Sequence, residues 1–277
     1  MLEREFESVI KPGLNLKQFA RDLWEFRDLF YVLMWRDFKV RYKQTAIGIL
    51  WALLRPLISM MIFTVIFGKV AELPSAPGIP YSLLVLVGML PWFFFSSTVQ
   101  EGSNSLVVSA GMITKVYFPR IMLPASRMLV SFVDFLLVFL LVLVFMLWYR
   151  VSLSINIIWL PVFLLLLSSF SMGVTLWASA LNVRYRDIKY VIPFVIQFGM
   201  YVSPIGFSTE VIANEWRWLY SLNPLVGVID GFRWCLLGQE MSLYMPGMVL
   251  SVLLSVLLLL SGYLYFVLNE RKMADII

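Results

Sequence analysis

Few side chains in this sequence can do chemistry, and their types exclude most reactions. Histidine is absent and Cys235 is the only cysteine. An internal disulfide, a thiolate metal cluster and histidine-based acid–base catalysis are therefore excluded, and no metal ligand set is expected. Glu101, Asp187, Glu210 and Glu215 are too scattered to form the acidic cluster that a membrane-embedded enzyme acting on lipid-linked sugars needs. Gly68-Lys69 is no phosphate loop: Phe63 stands where the first glycine belongs, and Val70 where Ser or Thr must hold magnesium. The chain is thus expected to bind no cofactor and to catalyse nothing; ATP and Mg, if used, belong to a separate subunit.

Two ionisable residues interrupt apolar stretches. Arg55 lies near the end of one, and Asp134 lies about two turns past Arg127 in another. A proton relay needs partners along its path, and a single acid supplies none. Asp134 is read as a carboxylate paired with a neighbouring helix, with the relay as the alternative. Asp230 and Arg233, three residues apart, can pair on one helix or across two copies of the chain.

The elements that position these groups must lie in a bilayer. Of the 277 residues, 61% are hydrophobic and 14% charged, against roughly 45–50% and 25% in soluble domains. The apolar residues come in long runs without strand-like alternation, so the fold class is all-α integral membrane. A helix crosses the bilayer with about 20 such residues, and six spans are predicted at 50–68, 83–99, 128–148, 155–183, 190–207 and 243–268. Seventeen of the 22 Lys and Arg then fall on the side of both termini, which makes that side cytoplasmic. The net charge of +5 reflects this asymmetry and calls for no nucleic acid. No cleavable signal peptide is expected in the charged first 15 residues.

Two segments are expected beside the spans. Residues 1–47 are too charged to cross, and around 24–35 they carry Phe26, Leu29, Phe30, Leu33 and Met34 among Arg27, Asp28 and Arg36. They are read as a cytoplasmic amphipathic region on the membrane surface, the alternative being a helix packed on a soluble partner. Residues 208–242 lie outside, are too short for two spans and too apolar for a loop. Asn223-Pro224 and Gly238 divide them into two short helices expected to re-enter the outer leaflet.

Three stretches carry a family likeness. They are Arg36-Asp37-Phe38-Lys39-Val40-Arg41-Tyr42 running into Gly48 and 51–56, then Asn182-Val183-Arg184-Tyr185-Arg186-Asp187, then Asn223-Pro224 leading to Phe232-Arg233. Over nearly its full length the chain resembles the membrane subunit of ABC transporters of the type-2 polysaccharide exporter family. The resemblance implies a homodimer of this chain docked on two copies of a cytoplasmic ATPase subunit in the bacterial inner membrane. It implies export of a polysaccharide of O-antigen, capsule or teichoic acid type carried on polyprenyl pyrophosphate. A permease of the same architecture for a drug or lipid, and an ion-coupled secondary transporter, are the alternatives.

In such families the ATPase pushes on a cytoplasmic segment between the second and third spans, here 105–124. Val107, Val108, Met112, Ile113, Val116, Tyr117 and Phe118, with Lys115 and Arg120 beside them, would seat in a groove of that partner. Arg36, Lys39, Arg41, Lys43, Arg184 and Arg186 share the cytoplasmic face and suit phospholipid head groups or a pyrophosphate-linked substrate head. Tyr190, Phe194, Phe198 and Tyr201 recur at helical spacing along the fifth span, and aromatic faces stack on sugars, so they are candidates for a substrate channel, with interfacial anchoring or packing as the other reading. Trp216, Trp218, Asp230 and Arg233 are candidates for an outer gate.

Overall fold

The computed structural model describes residues 21, 24–43, 48–238, 241 and 243–276, and the expectations for 1–20 and 44–47 lie outside them. The described residues form helices and turns. Helix α1 (Arg27–Tyr42) precedes α2 (Leu50–Phe63), which runs on as a π-helical turn, Thr64–Val70. After a loop come α3 (Tyr81–Val108), the single turn α4 (Ala110–Ile113) and α5 (Met122–Tyr149). Arg150 takes a left-handed conformation, φ 57°, that closes α5, and a 3-10 turn leads into α6 (Leu160–Arg184). Then follow α7 (Ile188–Val202), α8 (Asn214–Tyr220), α9 (Pro224–Leu237) and α10 (Met245–Ile276).

Five of these stretches are long and apolar enough to cross a membrane: Leu50–Val70, Tyr81–Val108, Met122–Tyr149, Ile155–Arg184 and Met245–Glu270. The chain is therefore an all-helical, multi-pass membrane protein. The stretch expected as the fifth span behaves differently. Its helix stops at Val202 after 15 residues, about 22 Å at 1.5 Å per residue, while the hydrocarbon core is about 30 Å thick. Ser203 precedes Pro204 and adopts ψ 150°, because proline clashes with a helical residue before it.

Burial ranks the helices. In α3, 78% of the apolar window is buried, against 17–28% in the other four spans. Leu83, Leu84, Val85, Leu86 and Val87 are all fully buried, so α3 is the axis on which α5, α6 and α9 pack. Small residues bring α6 and α10 together: a Cβ at Gly173 would fall 2.6 Å from the α10 backbone at Leu258, and one at Gly262 would fall 2.4 Å from the Gly173 carbonyl. Without a hydrophobic drive between helices in lipid, such close backbone packing supplies the dispersion energy.

The segment 208–242 contains two short helices, as its sequence predicts. Asn223 caps α9 by accepting from Leu225 N–H at 3.1 Å, Pro224 occupies the first turn, and Gly238 at φ 93° ends it. α9 is buried along its length, against α3, α6 and α10.

Candidate functional site

The end of the bundle that carries α1 is built around two carboxylates, one buried and one partly buried. Asp37 is 2% exposed. It takes Arg36 Nη2 at 2.9 Å, Arg127 Nε at 3.1 Å and the Ser126 hydroxyl at 3.1 Å. Asp134, about two turns past Arg127 on α5, takes Arg41 Nη2 at 2.7 Å and the hydroxyl of Tyr42. The same Arg41 nitrogen donates to the Ser97 hydroxyl of α3 at 2.9 Å. Burial, reinforced by the hydrogen bond to Asp134, pushes the Tyr42 phenol up, so it stays a donor. Asp134 is paired with a neighbouring helix, as the sequence reading has it; the partner is α1.

This pairing divides the six expected head-group cations. Arg36 and Arg41 are engaged by Asp37 and Asp134. Lys39 sits over the Trp35 ring at 5.3 Å and Arg184 over the Tyr185 ring at 5.3 Å. Lys43 and Arg186 project from the surface.

Residues 105–124 split into an outer and an inner set. Val107, Val108, Lys115, Val116 and Tyr117 are exposed, and Met112 and Arg120 are partly buried. Ile113 and Phe118, at 6% and 2% exposure, face inward. They join Leu33 of α1, Leu106 of α3, Met122 of α5, and Phe266 and Met273 of α10 in one apolar cluster. Arg120 N–H donates to Glu270 of α10 at 2.9 Å. The segment thus presents an apolar tip of four residues and is fastened behind to the first and last described helices. Glu270, Ser97 and Ser126 escaped the sequence reading, since their partners lie 150, 56 and 89 residues away in the chain.

The aromatic set on α7 faces away from the protein: Tyr190, Phe194, Phe198 and Tyr201 are 54–69% exposed, and Ile192 is the buried residue of that helix. Phe194 and Phe198 pack at 4.3 Å, and Tyr201 stacks on Phe63 of α2 at 6.0 Å.

The four outer residues do not form one site. Trp216 and Trp218 are 61% and 56% exposed, whereas Asp230 and Arg233 are inside the bundle. Arg233 donates to the carbonyls of Ile205 and Phe207 at 2.9 Å each and to that of Leu84 at 3.4 Å. Asp230 accepts from Thr209 at 2.7 Å and stands 4.0 Å from Arg233. Arg217 holds the intervening loop by donating to the carbonyls of Ile212 and Glu210. Of the two pairings open in the sequence, the chain contains the one along α9.

Residues 28–237, from α1 to the end of α9, match the family model for the ABC-2 type transporter. The chain belongs to the ABC-2 type transporter family. Among curated relatives, the "O-antigen export system permease protein RfbA" of Klebsiella pneumoniae is 29% identical over 234 residues, 81% of this chain and 88% of that protein. The protein of the same name from Myxococcus xanthus is 27% identical over 216 residues, 77% and 82% of the two chains. The "Polysialic acid transport protein KpsM" of Escherichia coli is 25% identical over 204 residues, 72% and 77%. The ABC-2 match takes in both carboxylate clusters, the 105–124 segment and the Arg233 brace, and ends before α10.

Proposed function

We propose that this chain is the permease half of an ATP-driven exporter that moves polyprenyl-pyrophosphate-linked polysaccharide of O-antigen, capsule or teichoic acid type across the bacterial inner membrane. Two copies of the chain pair about a central path and dock on two copies of a cytoplasmic ATPase subunit, which carries the ATP and Mg. In this reading α7 serves as a sixth, short crossing, both termini are cytoplasmic, and α8 and α9 re-enter from the outer face. The names of these relatives support the substrate class.

The observation that carries the coupling is the fastening of 105–124. Val107 and Val108 are exposed at the end of α3, the most buried of the five long spans, and Val116 and Tyr117 in the connection after α4, while Ile113, Phe118 and Arg120 tie that tip to α1 and α10. A surface that apolar invites a partner, and a push on it reaches the centre of the bundle directly. The exposed aromatics of α7 gain cover from a second copy, and six helices scarcely enclose a polymer, whereas two-fold pairing does.

The test is reconstitution in liposomes with and without the candidate ATPase subunit. Transport of lipid-linked polymer only with both proteins and ATP is the expected result. Transport by this chain alone under an ion gradient would make it a secondary transporter.

A further inference from the structure

The cytoplasmic ends of α6 and α10 part around a cavity of about 220 Å³, lined by Ala180, Val183 and Arg184 on one side and Tyr265, Asn269, Lys272 and Met273 on the other. Its volume is that of about seven waters in the liquid. The spacing explains the shape. Positions 180, 183 and 184 share one face of α6, and 265, 269, 272 and 273 share one face of α10. The small side chain of Ala180 leaves space on the α6 wall.

The floor is apolar: Met273, Ala180 and Val183 are 2–8% exposed. One wall is rigid, because the Tyr265 ring stacks on Trp177 at 4.1 Å and Trp177 is itself bonded to Ser261. The rim carries two cations, Arg184 and Lys272, and neither forms an ion pair with a carboxylate among the described residues. Glu270, adjacent on α10, is turned to Arg120. The Asn269 amide nitrogen is used on the Tyr265 carbonyl at 2.8 Å.

We infer that this cavity binds the phosphate head group of a membrane lipid, held between Arg184 and Lys272. An ionised phosphate matches these two cations, and the planar guanidinium of Arg184 can donate to two of its oxygens at once. Arg184 also offsets the negative end of the α6 dipole, so the anion needs Lys272 as well. A lipid source fits better than free phosphate, because Leu264 and Leu268 lie exposed on α10 beside the rim and offer a track for acyl chains. The inference rests on the membrane placement of the spans and is independent of what is exported.

The experiment is native mass spectrometry of the purified full chain in detergent, titrated with phosphatidylglycerol, phosphatidylcholine, polyprenyl pyrophosphate or inorganic phosphate. Saturable binding of phosphatidylglycerol or polyprenyl pyrophosphate is expected, and the better ligand identifies the source. Removing both cations, as R184Q/K272Q, is expected to weaken it roughly tenfold or more. The charge-matched pair K69Q/K189Q, two exposed lysines outside the cavity, is expected to change it less than twofold. Equal weakening by the two pairs, or inorganic phosphate competing as well as lipid, would overturn the site. Should R184Q/K272Q not fold, A180L decides: it fills the cavity while keeping both charges, and undiminished lipid binding by A180L would sink the idea. ATP and export play no part in the readout, so failure of the exporter reading leaves the result interpretable.

Discussion

A Cβ atom at position 88 would lie 2.8 Å from Nη2 of Arg233, so Gly88 is the clearance through which the buried guanidinium reaches the carbonyls of Ile205, Phe207 and Leu84. These carbonyls belong to the break after α7 and to the axial helix α3. One side chain on α9 therefore ties the break after α7 to α3. The sequence singled out Arg233 for a gate; its setting is that of a brace.

R233M is expected to destabilise the protein by about 3 kcal/mol or more, because it strands buried carbonyls and leaves Asp230 without its cation. G88A is expected to destabilise by less, since one side chain shifts. Thermal unfolding in detergent ranks the two, and a silent R233M would show that the carbonyls find other donors.

The Arg41–Asp134 pair is expected to anchor α1. In a double-mutant cycle of R41Q and D134N, the coupling energy should reach about 1–3 kcal/mol, as for residues in one network. Limited proteolysis within 24–43 reads the release of α1, and additive single effects would show that the helix is held by its apolar face alone.

Exposure separates two substitutions in the 105–124 segment. V116D is expected to abolish ATP-dependent export while thermal stability stays within about 0.5 kcal/mol, as for surface sites. F118D buries a charge in the apolar cluster and is expected to unfold that end of the bundle. Equal loss of stability in both would count against the exposed tip as the docking surface.

Where α6 and α10 touch, G262V is expected to destabilise by about 1–3 kcal/mol through overpacking. Substituting Phe198 by Leu, on the exposed face of α7, is expected to leave the melting temperature of the isolated chain unchanged and to lower export. Unaltered export would assign the α7 aromatics to lipid contact.

Much of the fold is legible because hydrophobic run length and helix punctuation are local signals. Five crossings, the Asn223-Pro224 start of α9 and its stop at Gly238 follow from them. The end of α7 was equally legible, since Ser203-Pro204 forbids the helix that apolar content alone prolongs to 207. What the sequence hides is pairing at a distance. Asp134 reads as a paired acid, but nothing local names Arg41, 93 positions earlier, or shows that Ile113 and Phe118 turn inward while Val116 and Tyr117 turn out. Those facts are set by how α1, α5 and α10 converge.

The cluster joining Leu33, Ile113, Phe118, Phe266 and Met273 makes three stretches remote in the chain a single cooperative unfolding unit. Amide hydrogens in α1, in the 105–124 segment and near residue 270 should therefore lose protection together, with one shared opening free energy. A tag or truncation close behind Glu270 would then loosen α1 at the other end of the sequence as readily as it frays its own helix.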